Sequence, residues 1–223
     1  MTTALGFPAF PPQRAGKSFA ATWWGRAWVE ALEETVLDRT LTQAGRAYAK
    51  RGLLGPLGLS PGRIAAAAED HHAVVKVPTL SDAEWVAFAD AVTARAGNLA
   101  ALLSGDLPRD ILEEVPILPW TLDFECDCGG WECRHALGLA YQVAWLLDED
   151  PFLLLLLRGR DRAAVLAAPP AGEPARSVFA RTPGPLPERL PPVPPPTGLD
   201  GAALAAARTA RELLGWDSVG GGR

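Results

Sequence analysis

All three cysteines of the chain lie in the stretch "CDCGGWECRH" at positions 126–135. Cys126 and Cys128 are two residues apart, a spacing that places both sulfur atoms on the same face of a β-strand. The glycine pair that follows lets the chain reverse, which returns Cys133 and His135 to the first two cysteines. Three thiolates and one imidazole form a closed tetrahedral set that suits a single structural zinc ion.

The same residues leave a catalytic alternative open, in which His135 activates Cys133 as the nucleophile of a thiol enzyme. Shared ligation of one ion is favoured, because the two side chains are so close in sequence. A closed set of four protein ligands also leaves no position for a water molecule on the zinc ion. We therefore expect no enzyme activity, no catalytic residues and no small-molecule substrate.

Hydrophobic patterns predict an α+β fold around this cluster. Apolar residues recur every four positions from Trp24 to Val36, which predicts one helix. Short apolar runs between Leu53 and Val77, broken by turn residues, predict three antiparallel strands. A capping-box sequence then opens an amphipathic helix over 81–95.

The cysteine cluster is flanked by one predicted element on each side. The stretch "TLDFEC" before it has the pattern of a short strand, and residues 134–147 after it form a strongly apolar helix. Together these patterns predict a small antiparallel sheet with several helices and a zinc-stapled finger built from a β-hairpin and a helix.

Proline and glycine content predicts where this body begins and ends. The chain contains 21 prolines, which fall largely in two tracts near its ends. We predict five segments: a flexible arm over 1–20, an α+β body over 21–168 with the zinc finger at about 120–147, a Pro-rich linker over 169–198, a helix over 199–216 and a flexible tail over 217–223.

Composition argues against several classes of protein. The formal net charge of −5 does not suit a protein that coats nucleic acid through its overall field. The first twenty residues lack the apolar run of a signal peptide, and the longest apolar run, at 152–157, is too short to span a membrane. We expect a cytoplasmic protein that does not contact a membrane. Association with the nucleoid is an open alternative.

The densest basic run is a candidate nucleic-acid surface. It consists of Arg39, Arg46, Lys50 and Arg51, and Trp23 and Trp24 could stack on unpaired bases beside it. The spacing of Trp24 and Trp28 favours burial in a helix's core stripe instead. His71 and His72 are expected to be exposed in a turn.

The pattern Cys-x-Cys, a short spacer and Cys-x-His before an apolar helix resembles the SWIM zinc finger. The stretches "TWWGRAWVEALE", "GRAYAKRG", "LSPGRI" and "DEDPFLLLLLRGR" are similar to bacterial SWIM-domain proteins, so the resemblance covers roughly residues 19–168. It implies zinc ligation by Cys126, Cys128, Cys133 and His135, and a module that binds DNA or protein, often with Snf2-type helicases.

The charges of the finger favour a protein partner. Acidic residues at positions 123, 125, 127 and 132 outnumber Arg134, whereas phosphate binding requires cations. The sequence therefore predicts a zinc-binding SWIM-domain adaptor, accessory to a Snf2-type helicase or another DNA-processing machine. Direct binding of DNA or RNA through the 39–51 basic run is the alternative.

Overall fold

The structure is a computed structural model that describes residues 4–130, 132–167 and 209. The chain divides into two units, Met1–Val178 and Phe179–Arg223, and the sheet, its helices and the cysteine cluster belong to the first. The predicted linker over 169–198, helix over 199–216 and tail over 217–223 lie outside the described residues, apart from Thr209.

In the part of the chain that the structure describes, five strands form one antiparallel sheet in which each strand pairs with the next in sequence. The strands are β1 (Leu5–Phe7), β2 (Leu54–Ser60), β3 (Arg63–Ala68), β4 (His71–Lys76) and β5 (Asp123–Cys126). The three predicted central strands are β2, β3 and β4. In β3 every second side chain is buried, as expected for a sheet with one face on the core.

The helices of the same region complete the α+β class, which the structure confirms. They are α1 (Trp23–Thr35), α2 (Arg39–Lys50), α3 (Asp82–Ala94), α4 (Ala96–Leu103), α5 (Ile111–Glu114), α6 (Arg134–Glu149), α7 (Phe152–Leu157) and α8 (Arg162–Ala167). The predicted capping box of α3 is present, since Ser81 and Glu84 each accept a backbone N–H of the other.

Helix α6 is the centre of the core, because nearly its whole length is buried. Trp28 of α1 is fully buried, and its indole N–H donates to the carbonyl of Ala140 at 2.9 Å. Trp24 is 4% exposed and donates to the carbonyl of Leu147 at 2.6 Å. These two tryptophans therefore form the core stripe that their spacing predicts.

Helices α2 and α6 approach closely at two glycines. A Cβ atom added at Gly45 would lie 2.6 Å from the Cβ atom of Leu137, and one at Gly138 would lie 2.9 Å from the Tyr48 ring. Neither position has room for a methyl group without movement of its neighbours. The contact between these helices therefore depends on glycine on both sides.

We expect Gly45→Ala to lower the free energy of unfolding by about 1–2 kcal/mol, because the overpacking of the α2–α6 contact outweighs the better helix propensity of alanine. Gly97 in α4 is the matched control, since nothing lies within 4 Å of a Cβ atom there. Gly97→Ala should stabilise by about 0.5–1 kcal/mol. Urea unfolding measures both changes, and equal effects would contradict the close approach.

Residues 4–20, part of the predicted flexible arm, lie along the body. Strand β1 pairs with β2 through Leu5↔Leu59 and Phe7↔Leu57. Phe19 is buried, with its ring stacked on Trp145 at 5.4 Å between centroids. The pairing partner of β1 is some fifty positions away in sequence, so local composition could not reveal this contact.

No single helix among residues 4–130 and 132–167 is long and apolar enough to cross a membrane. Two helices pass the length and hydropathy test only when they are taken together, namely Asp82–Ala94 and Gly97–Leu103. The chain bends by 104° between them.

Candidate metal centre

The four predicted ligands come from a strand end, a turn and a helix start. Cys126 is the last residue of β5, and Cys128 follows in a turn that Gly129 completes with a φ of 84°. Cys133 is the N-cap of α6, and His135 lies in the first turn of that helix. The elements are those that the sequence predicts around the cluster.

The donor atoms of these residues converge on one point. One Sγ or imidazole N atom from each of the four residues lies within 4.8 Å of all the others. The Nδ1 atom of His135 is 3.7 Å from the sulfur of Cys126 and 3.9 Å from that of Cys133. In a tetrahedral site with the bond lengths of zinc, ligand atoms stand about 3.5–3.8 Å apart. The four residues can therefore hold one metal ion with little rearrangement.

Burial and a backbone hydrogen bond set the pKa values of the four candidate ligands. Burial raises the pKa of Cys126 to about 12 and also raises the pKa of Cys133. A backbone hydrogen bond from Gly130 lowers the pKa of Cys128, and burial lowers the pKa of His135, which keeps its imidazole neutral and able to bind a cation. A divalent ion would stabilise the thiolates by its positive charge. Its binding would therefore release protons from the cysteine thiols.

The start of α6 stabilises negative charge at the cluster. The backbone N–H of Ala136 donates to the sulfur of Cys133 at 3.5 Å, as an N-cap contact. Free N–H groups and the helix dipole favour an anion at this end of a helix. Cys133 is therefore a candidate metal ligand and a helix cap at once.

Two histidines outside the ligand set hold the finger against the sheet. The carboxylate of Asp127 accepts the backbone N–H of His72 at 3.0 Å and lies 3.1 Å from Nδ1 of His71. The pairing Ala73↔Cys126 between β4 and β5 brings these residues together. The His71 ring also lies 4.9 Å from the His135 ring, between centroids. These contacts fix the turn that carries Cys128.

The expectation that His71 and His72 lie exposed in a turn was wrong about the turn for both residues, and wrong about exposure for His71. The turn ends one residue earlier, and both histidines belong to β4, with His71 only partly exposed. The apolar run of the strand begins only at Ala73, so the sequence carries no signal that extends β4 to the two histidines.

The structure separates the members of the predicted basic run. Arg46 and Lys50 line one cleft, together with Lys17 and Arg26. Arg51 lies outside this lining, with its guanidinium 6.0 Å from the centre of the Tyr48 ring. Arg39 is exposed at the start of α2, also outside the cleft. Nucleic-acid binding by the four stays a prediction.

Trp23 and Trp24, the predicted stacking residues beside the basic run, make most of their contacts within the fold. Trp24 is buried. Trp23 is half-buried, donates its indole N–H to the carbonyl of Leu107 at 2.9 Å and is covered by the guanidinium of Arg109. The Trp24 ring is therefore not accessible to a base, and a guanidinium lies over the Trp23 ring.

Comparison with known proteins relates the chain to a mycobacterial protein. It is 31% identical over 166 residues to the uncharacterized protein Rv2102 of Mycobacterium tuberculosis (strain ATCC 25618 / H37Rv). The aligned stretch is 67% of this chain and 59% of that protein, so the chain spans less than two thirds of its relative's length. No protein-family model and no solved structure matches the chain.

Proposed function

We propose that the chain is a zinc-stabilised, SWIM-type adaptor, without enzyme activity, that binds a protein partner. Three sulfur donors and one imidazole favour zinc over magnesium or calcium, which prefer oxygen ligands. The resemblance of the finger and of its flanking stretches to SWIM proteins favours a Snf2-type helicase, or another DNA-processing machine in the cytoplasm, as the partner.

A groove beside α1 carries the proposal. It has a volume of about 560 Å³ and lies between one flank of α1 and the segment 112–120. Trp120 lines it and is 79% exposed, which among residues 4–130 and 132–167 makes it the second most exposed large hydrophobic side chain after Leu37. Exposed tryptophans are costly to solvate and are enriched at the centres of protein interfaces. We refer to this feature as the Trp120 groove.

The lining of the Trp120 groove defines the chemistry of its partner. Its floor is apolar, while Glu30 and Glu34 are exposed on the α1 side. None of its lining residues is cationic: Ala27, Glu30, Ala31, Glu34, Leu112, Val115, Pro116, Leu118, Pro119 and Trp120. Charge complementarity therefore favours a partner segment that inserts an aliphatic or aromatic side chain and carries Lys or Arg beside it.

A buried arginine holds one wall of the groove in place. The guanidinium of Arg158 donates to the carbonyl of Pro116 at 3.1 Å and also to the carbonyl of Pro78. Arg158 is 4% exposed, so these contacts are shielded from water. The wall is therefore fixed before a partner arrives, which lowers the entropic cost of binding.

The test is affinity capture with two forms of the metal-loaded protein, wild type and Trp120→Ala, followed by calorimetry with each purified candidate. We expect a partner that binds the wild type and loses about 30-fold in affinity with Trp120→Ala, the size of an interface hot spot. The partner should also bind more weakly to Glu30→Lys/Glu34→Lys.

Leu37 provides a matched control, since it is 92% exposed but does not line the groove. Leu37→Ala should leave the affinity unchanged. A partner whose affinity is insensitive to Trp120→Ala and to the charge reversal would reject the Trp120 groove as the docking surface.

A further inference from the structure

A second concave surface lies on the other flank of α1. This cleft of about 270 Å³ is lined by cationic side chains from the N-terminal segment, α1 and α2: Lys17, Arg26, Arg46 and Lys50. We call it the basic cleft. We infer that it binds a phosphate ester group, supplied by the backbone of a single-stranded nucleic acid.

The charge of the basic cleft is largely uncompensated. Arg46 is paired with a carboxylate, that of Glu33, with its Nε atom 3.0 Å from Glu33 Oε1. Among residues 4–130 and 132–167, no carboxylate lies within ion-pair distance of Lys17, Arg26 or Lys50. Three positive charges therefore concentrate in one cleft of a chain whose net charge is −5.

Neutral groups hold these cations in position. The ammonium of Lys17 lies 4.6 Å from the centre of the Trp145 ring, and that of Lys50 lies 4.9 Å from the centre of the Phe19 ring. An aromatic face attracts a cation through its quadrupole but does not cancel its net charge. The ammonium groups are therefore oriented in advance and remain free to attract an anion.

Carbonyl and amide oxygens provide the remaining contacts. Arg26 donates to the carbonyl of Ala21 at 2.5 Å, Lys17 donates to the side-chain oxygen of Gln13 at 3.0 Å, and Lys50 donates to the carbonyl of Ala15. Each cation keeps further N–H donors, because a guanidinium has five and an ammonium three. A phosphate, with several acceptor oxygens, can use donors from more than one of these groups.

The rest of the lining suits an ester better than a bare anion. Phe19, Ala20 and Val29 contribute apolar surface beside the cations. A sugar attached to the phosphate can lie against these carbons while the phosphate oxygens face the cations. Single-stranded nucleic acid meets this requirement, because its binding sites combine a basic groove with apolar or aromatic contacts.

Helix α1 separates the basic cleft from the Trp120 groove. Arg26 and Val29 face the cleft, whereas Ala27, Glu30 and their neighbours face the groove. At 3.6 residues per turn, these two sets lie on opposite sides of the buried stripe that contains Trp28. Phosphate binding in the basic cleft is therefore independent of partner docking in the Trp120 groove, and the two can be tested separately.

The test is fluorescence anisotropy of a labelled single-stranded oligonucleotide with the metal-loaded full chain, titrated at several salt concentrations. We expect binding at low salt that Lys17→Gln/Lys50→Gln weakens at least tenfold. The slope of log affinity against log salt should fall by about 0.7, because one neutralised phosphate contributes about 0.7 on single strands. Arg26→Gln, which leaves both lysines in place, should weaken binding with a smaller change of slope.

The matched control is Arg39→Gln/Arg51→Gln, which removes the same number of charges at positions outside the cleft. Its affinity should stay within twofold of the wild type, and so should that of Trp120→Ala. Unfolding midpoints and metal content verify that each variant is folded. Absence of binding at low salt would overturn the basic cleft as the phosphate site. The same conclusion would follow if Arg39→Gln/Arg51→Gln lowered the affinity as much as Lys17→Gln/Lys50→Gln.

Competition separates the two sources of the phosphate group. A nucleoside monophosphate or inorganic phosphate is added to the oligonucleotide complex and, by calorimetry, to the free protein. Displacement only at millimolar concentrations supports the nucleic-acid backbone as the ligand. Tight binding of a mononucleotide, abolished by Lys17→Gln/Lys50→Gln, would keep the phosphate site but overturn the nucleic acid as its source.

Discussion

Replacing His135 by alanine should remove most of the metal from the purified protein and lower its thermal unfolding midpoint at the same time. The imidazole is one of four converging donors, and an ion held by them would join β5, its following turn and α6. Binding of structural zinc contributes about 10–16 kcal/mol in small finger peptides, so loss of one ligand should cost on the order of several kcal/mol. Metal per chain by mass spectrometry and the unfolding midpoint measure the two effects.

The His135 ring also packs on Tyr48 at 5.0 Å between centroids, so His135→Ala destabilises in part by leaving a cavity. His135→Cys separates the two causes, because it removes the ring as well but restores a fourth ligand. It should retain one metal ion per chain. His72→Ala, at a histidine that is not in the donor set, should also retain it, and full metal content in His135→Ala would remove His135 from the ligands.

Accessibility of the thiols distinguishes this site from the thiol-enzyme alternative. In the metal-loaded protein, ligation and burial should both protect Cys133 from alkylation, because only a free thiolate reacts. Addition of a chelator should expose all three cysteines. Rapid alkylation of Cys133 alone, with the metal still bound, would instead support a catalytic cysteine activated by His135.

The ligand set could be predicted from the sequence because every member lies between positions 126 and 135. Residue types, a two-residue spacing and a reversing glycine pair are local information, and the structure brings the four donor atoms together as they predict. The surrounding elements were predictable for the same reason. Periodicity within one segment specified α1, α3, α6 and the three central strands.

Contacts between distant segments could not be predicted in this way. His71 reaches the finger only because β4 pairs with β5, which lies some fifty residues later in the chain. The basic cleft likewise combines Lys17 with α2, which lies about thirty residues later in the chain. Only the charges contributed by α2 could therefore be recognised in the sequence as a basic run. Such sites depend on which elements pack together, and this is decided by the core rather than by any local pattern.

The core in turn depends on the tryptophans of α1, and Trp28→Ala should lower the free energy of unfolding by about 3–5 kcal/mol. The Trp28 side chain is fully buried, and truncation would leave a cavity between α1 and α6. It would also remove the hydrogen bond from its indole N–H to the carbonyl of Ala140. Urea unfolding monitored by circular dichroism gives the change directly.

Trp120→Ala is the matched control for this prediction, since it removes the same side chain from a position that is 79% exposed. Its effect on stability should stay within about 0.5 kcal/mol, as for most surface substitutions. The two variants should thus have opposite profiles: Trp28→Ala reduces stability, whereas Trp120→Ala affects partner binding alone. A large loss of stability in Trp120→Ala would mean that its ring supports the fold, and the Trp120 groove would then lose its main support as a docking surface.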